Sequence, residues 1–129
     1  MKFHHIGIAC IDISKTAQFI HSSFNIVKKT EIIFDKYQNV DLCLLTDEYG
    51  TNIELVSGQV VKNFVKKNQN LYHTCWEVLN LKKTIEHFCS NGAVIISEPK
   101  PAILFGNRKV AFLHTSIGIV ELLEQKALA

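Results

Sequence analysis

The chain has 129 residues, 47% of them hydrophobic and 20% charged, with a formal net charge of +2. That length holds one domain or two very small fused ones, and it lets about two-thirds of the unfolded surface be buried. So mild a charge, with lysines scattered apart from Lys62, Lys66 and Lys67, argues against a nucleic-acid partner, and with no 18-residue apolar run nothing is expected to span a membrane.

The N-terminal stretch MKFHHIGIACIDISK lacks the charged-then-apolar layout of an export signal. Cys10, Cys43, Cys75 and Cys89 lie in apolar segments without C-x-x-C spacing. They read as small buried hydrophobes in a reducing compartment, so the expected location is cytoplasmic.

Residues 3 to 10 alternate as a strand, with Phe3, His5, Gly7 and Ala9 on one face and His4, Ile6, Ile8 and Cys10 on the other. The apolar row belongs under a helix. The His5 face then carries small residues beside the histidine, which leaves room for a ligand. Asp12 or Ser14 can cap the helix that follows, and Ala17, Ile20, His21 and Phe24 approximate its buried stripe. Strands are expected over Val27 to Phe34, Asn39 to Thr46 and Asn52 to Ser57, joined by the turns DKYQ and DEYGTN. The first half therefore reads β-α-β-β-β.

A connector from Gly58 places Val61, Phe64 and Val65 at helical spacing and ends in KKNQN. The pattern then restarts: a strand over 71 to 78, a helix from Leu81 to Ser90 stopped by Asn91-Gly92, and a strand from Ala93 to Ser97. EPKPAILFGN, which holds both prolines, reads as an irregular loop. Arg108 to His114 and Gly118 to Glu124 close the second half as the last two strands. The expected organisation is one domain, 1–129, built as module 1–58, connector 59–70 and module 71–129. A repeat of this kind means that neither half buries its own sheet face alone.

The repeat extends to chemistry. Glu54 follows His5 by 49 residues and Glu121 follows His73 by 48. A strand histidine is ordinarily a core or edge residue, and a strand glutamate ordinarily faces water. A glutamate flanked by Ile53 and Leu55, or by Val120 and Leu122, is an oddity, because a buried unpaired carboxylate costs several kcal/mol or shifts its pKa. If a pseudo-twofold axis relates the halves, the four side chains can converge. A divalent cation would neutralise both carboxylates, and mixed nitrogen and oxygen ligation suits Ni²⁺, Co²⁺, Mn²⁺, Zn²⁺ or Fe²⁺.

Through HHIGIAC, NIELVSG, YHTCWEV, GNRKVAFLH and GIVELLEQ the whole chain resembles the vicinal-oxygen-chelate superfamily, which includes glyoxalase I, methylmalonyl-CoA epimerase, extradiol dioxygenases and bleomycin-resistance binding proteins. The resemblance implies an α+β fold of two tandem βαβββ modules forming a cupped eight-stranded mixed sheet, the glyoxalase/bleomycin resistance fold. It implies one divalent metal ion per site (Co, Ni, Mn or Zn) on His5, Glu54, His73 and Glu121, and a homodimer. The four-ligand pattern resembles the glyoxalase I and epimerase branches rather than the three-ligand iron dioxygenases or the metal-free resistance proteins.

The implied activity is proton transfer α to a carbonyl, on a small thioester or carbonyl substrate. Bacterial glyoxalase I carries an arginine where this chain has Ala9 and an asparagine where it has Gly58, which weakens a glutathione substrate. Methylmalonyl-CoA epimerase is the nearer match, with Glu121 as one base and Asp41, expected on the ligand face beside Cys43, as the other. The turn within HTSIGIVEL is shorter than the epimerases', which puts methylmalonyl-CoA itself in question. Alternatives are a lactoylglutathione lyase-type activity and a non-catalytic binding protein of the same fold. Arg108 reads either as an anion contact or as a solvated hairpin residue, and His4, His21, His87 and His114 as packing or surface histidines.

Overall fold

A computed structural model describes residues 1–127. Among these, nine strands and three α-helices form a mixed α+β architecture. Two compact units are present: His5–Tyr72, and Met1–His4 together with the residues from His73 onward.

In the first unit, β1 (Lys2–Ala9), which enters it at His5, leads into α1 (Ile13–Ser23), followed by β2 (Ile26–Lys29), β3 (Ile33–Asp35), β4 (Val40–Asp47) and β5 (Asn52–Ser57). The strand order is β2-β4-β5-β1, with β3 also on β4. β1 and β5 are parallel, and the other pairings are antiparallel. Asp12 caps α1 by accepting a hydrogen bond from the Lys15 backbone N–H at 3.1 Å, which satisfies one of the orphan donors of the first turn. Ile13, Ala17 and Ile20 of α1 pack on Cys10, Cys43, Leu45 and Leu55. Each fully buried leucine stabilises the unit by roughly 1.5–3 kcal/mol. Phe24, expected in that stripe, is 50% exposed, and His21 is exposed too, because the helix ends at Ser23 and only its Ile13–Ala17–Ile20 side meets the sheet.

One strand expected over 27–34 is two, so the described residues hold nine strands and not the expected eight. Lys29 pairs with Leu45 and Ile33 with Leu42, which sets four steps on one side against three on the other. The surplus residue makes a bulge. Thr30 spans it: its N–H donates to the Leu44 carbonyl at 3.0 Å, and its Oγ1 accepts from the Leu44 N–H at 2.9 Å. After β5, Gly58 enters a short 3₁₀ turn (Gln59–Val61) and α2 (Lys62–Lys66). Gly58 has φ +141°, and a Cβ there would lie 3.3 Å from the Asn39 carbonyl oxygen. Glycine is therefore required by the backbone.

The second unit repeats the plan with β6 (Leu71–Val78), α3 (Leu81–Ser90), β7 (Val94–Ala102), β8 (Arg108–Thr115) and β9 (Gly118–Glu124), in the order β6-β9-β8-β7. Asn80 caps α3. Leu81 and Ile85 cover Val78, Ala111, Leu113, Val120 and Leu122. The stretch expected as a proline-containing loop is largely strand: β7 runs through Pro99 and Pro101 to Ala102, with two register shifts. Proline is tolerated there because β7 is an edge strand, so one row of its N–H groups has no ladder partner.

Candidate functional site

In the first unit, cross-strand register fixes which side chains share a face. Gly7 of β1 lies opposite Glu54 of β5, and Ala9 opposite Val56. His5, Gly7 and Ala9 therefore share Glu54's face, while Ile8, Leu55 and Cys10 face α1. With no side chain at Gly7, the carboxylate of Glu54 can reach back diagonally to the imidazole two residues earlier. His5 Nε2 lies 3.4 Å from Glu54 Oε1, and the residues are 0% and 3% exposed.

The second unit repeats the construction. Small Cys75 lies opposite Glu121, His73 stands two residues before it, and His73 Nε2 is 3.1 Å from Glu121 Oε1. These residues are 3% and 1% exposed. Phe112 meets the His73 ring edge-on at 5.5 Å between centroids, and Cys75, Phe112 and Leu123 belong to an apolar layer on that face. Each half thus buries one carboxylate against one imidazole in the same register.

Both separations exceed the roughly 2.7–2.9 Å of a charge-assisted N–H···O hydrogen bond. They fall within the range for neighbouring ligands of one ion: donors about 2.0–2.2 Å from a first-row metal lie about 2.8–3.6 Å apart, between right-angle and tetrahedral arrangements. Imidazole nitrogen with carboxylate oxygen is also the donor mixture that Zn²⁺, Co²⁺, Ni²⁺ and Mn²⁺ accept. The residues present fit a divalent metal.

Asp41 does not join this set. It lies opposite Ser57 on β5, whereas Glu54 lies opposite Leu44. Asp41 therefore projects from the α1 side of the sheet and is exposed. The β4 residues on Glu54's face are Leu42, Leu44 and Thr46, so the register places Asp41, expected on the ligand face, on the opposite face of the sheet.

Arg108 is neither a free anion contact nor a solvated hairpin residue. Its Nη1 donates to Glu77 Oε2 at 2.6 Å and to the Glu124 carbonyl at 3.3 Å, and its Nε donates to the Phe105 carbonyl at 3.3 Å. The Arg108 hydrogen bond holds the Glu77 carboxyl below the usual carboxylate range, against the opposing pull of partial burial. Glu77 is a partner that the sequence reading missed; it lies two residues after Cys75, on the His73 side of β6. His4 packs its ring against Phe105 at 4.9 Å, and His21, His87 and His114 are exposed. Ala9 is fully buried, and its backbone is clamped by Asn70: its N–H donates to the Asn70 carbonyl at 2.7 Å and its carbonyl accepts from Asn70 Nδ2 at 2.8 Å. The β8–β9 turn is a two-residue hairpin closed by Thr115 Oγ1 donating to the Gly118 carbonyl at 2.8 Å.

The family model described as Glyoxalase/Bleomycin resistance protein/Dioxygenase superfamily matches residues 4–112. No curated protein sequence matches the chain. Among solved structures, a hypothetical protein from Bacillus halodurans C-125 is 27% identical with a TM-score of 0.81, covering 99% of this chain and 96% of its own. Methylmalonyl-CoA epimerase from Mycobacterium tuberculosis is 18% identical with a TM-score of 0.81, over 98% and 89% of the two chains. Glyoxalase I from Zea mays is 18% identical with a TM-score of 0.68, over all of this chain and 44% of the maize one. The last two likenesses carry the fold alone.

Proposed function

The chain belongs to the glyoxalase/bleomycin resistance protein/dioxygenase superfamily, and from that premise we propose that it is a metal-dependent isomerase, epimerase-like, moving a proton α to the carbonyl of a small thioester or related compound. His5, Glu54, His73 and Glu121 are the ligands of one divalent ion in this reading. The observation that carries it is the duplicated, buried His–Glu pair, with its two N···O separations of 3.4 and 3.1 Å. A bound divalent ion supplies a Lewis acid that polarises substrate oxygens and makes the α-proton acidic.

The chain's own groups do the rest. Glu121 has two carboxylate oxygens, so one can serve as ligand while the other accepts the α-proton and returns it. Gly7 and Ala9 keep the His5 face free of bulk, so a substrate carbonyl can approach. The leucines of β4 on that face exclude water from the reacting carbon. The same reading takes the protein as a cytoplasmic homodimer; sedimentation at micromolar concentration tests the dimer.

A second reading is favoured by the position of Asp41. Inverting a carbon requires a base on each side of it, and β4 presents Leu42, Leu44 and Thr46 where a second carboxylate was expected. A shift of a proton between adjacent carbons on one side needs a single base, as in a lactoylglutathione lyase-type reaction. Solvent-deuterium exchange into methylmalonyl-CoA, compared with turnover of the methylglyoxal–glutathione adduct, separates the two. A protein that binds such compounds and never exchanges an α-proton is a binding protein, and that outcome would reject both enzymatic readings.

A further inference from the structure

The cross-strand row that carries the carboxylate is built differently in the two units. In the first it runs Leu44 of β4, Glu54 of β5 and Gly7 of β1; in the second it runs Phe112 of β8, Glu121 of β9 and Cys75 of β6. Phe112 is 7% exposed, Cys75 is fully buried, and the phenyl ring lies edge-on to His73, so the second unit fills its row with its own side chains. The first unit has the smaller residue at both ends of its row, and Leu44 is only half-buried. One row inward on the same face, Leu42 and Val56 are each 1% exposed. One row outward stand Thr46 and Asn52, polar and half-buried. The accessible apolar surface next to Glu54 on β4 is therefore a single leucine side chain.

Hydrogen bonding fixes the place of that leucine. The Leu44 N–H donates to Thr30 Oγ1 at 2.9 Å, and its carbonyl accepts from the Thr30 N–H at 3.0 Å. Both backbone groups are thus turned away from β5, which makes Leu44 and Glu54 a non-hydrogen-bonded pair, the kind whose facing side chains come closest. Their Cβ atoms lie about 4.5–5.5 Å apart. We propose that Leu44 is the specificity-determining residue of this site: it touches the carbon arm of the compound held against His5 and Glu54 and selects a short aliphatic arm over an aromatic one. This inference rests on the metal-site reading above. Rows on one face of a sheet are about 6.6–6.8 Å apart, so an arm much wider than one side chain runs onto the polar groups of Thr46 and Asn52. Phe112 already occupies the equivalent place beside Glu121, which leaves the variable part of the substrate to the first unit.

The test uses protein loaded with Co²⁺, whose visible spectrum reports ligation, titrated with acetohydroxamate and benzohydroxamate as two-oxygen probes with a small and a large arm. Leu44→Ala should shift the ratio of the two affinities about tenfold toward benzohydroxamate, Leu44→Val about threefold the same way, and Leu44→Phe about tenfold toward acetohydroxamate. Cobalt affinity should stay unchanged, since leucine supplies no ligand atom. Phe112→Leu should leave the ratio within about twofold of wild type. A leucine that only packs would move both probes alike. An unchanged ratio in the cobalt-bound Leu44 variants overturns this inference and leaves the metal site standing, and so does a cobalt-loaded wild-type chain that takes up neither hydroxamate. Failure of the wild-type chain to bind cobalt overturns both.

Discussion

Replacing Glu77 with glutamine separates a structural ion pair from a substrate contact. The Arg108 side chain is 13% exposed and that of Glu77 23%, so the pair is largely shielded from solvent. In Glu77→Gln the guanidinium keeps its carbonyl partners, Phe105 and Glu124, but loses its only counter-charge among the described residues' ion pairs. Glutamine's amide oxygen can still accept from Nη1, so what the variant loses is the carboxylate's charge, and leaving the largely shielded guanidinium without it costs about 1.5–3 kcal/mol. With an unfolding entropy of about 2.1 cal/mol/K per residue, the midpoint should fall by roughly 5–10 °C at pH 7.

The pH dependence has a definite sign. Glu77 titrates lower in the folded chain than in the unfolded one, so its contribution is fully present above the unfolded carboxylate pKa. It is lost as pH falls through the folded value. Urea unfolding of wild-type and variant protein at pH 7 and at about pH 3 should show the difference in stability shrinking in acid. An equal difference at both pH values would refute the ion-pair argument. Turnover should be retained, since Arg108 is engaged within the protein.

Four further outcomes follow from the geometry. Asp41→Asn should leave α-proton exchange within about twofold, whereas Glu121→Gln should lower it by about a hundredfold or more; exchange rates by proton NMR decide between them. Gly58→Ala should destabilise by about 1–3 kcal/mol, read as a lower urea midpoint at unchanged slope. Leu55→Ala removes a fully buried side chain beneath α1 and should cost about 2–5 kcal/mol, read the same way. Burial pushes the Cys10 and Cys43 thiols up, and Cys75 is fully buried, so a thiol reagent at pH 8 should modify only half-buried Cys89 rapidly in native protein.

Much of this architecture is legible in the residues, and the exceptions have physical causes. Alternation locates β1 and β6 closely, and α1 and α3 are bounded by Asp12, which stands where apolar periodicity changes from two to 3.6, and by the Asn91-Gly92 stop. The pairing of His5 with Glu54 and His73 with Glu121 is visible as a spacing, but the role of Gly7 and Cys75 in opening the diagonal is a matter of register. Register also decides Asp41. The five residues 47–51 between Thr46 and Asn52 set an odd-numbered residue against an odd-numbered one, and a loop one residue longer or shorter would have turned Asp41 onto Glu54's face. Strand alternation within β4 alone cannot supply that parity. The bulge at Thr30 and the proline-bearing edge strand β7 depend on pairing partners distant in sequence, and local propensity points the other way at both places.

The metal content of the native chain, isolated without chelators, tests the central claim most directly. The account predicts close to one divalent ion per chain, bound by wild-type protein and lost in His73→Ala while the variant stays folded. A wild-type chain that is folded, free of metal and unable to take up Co²⁺, Ni²⁺, Mn²⁺ or Zn²⁺ would contradict it.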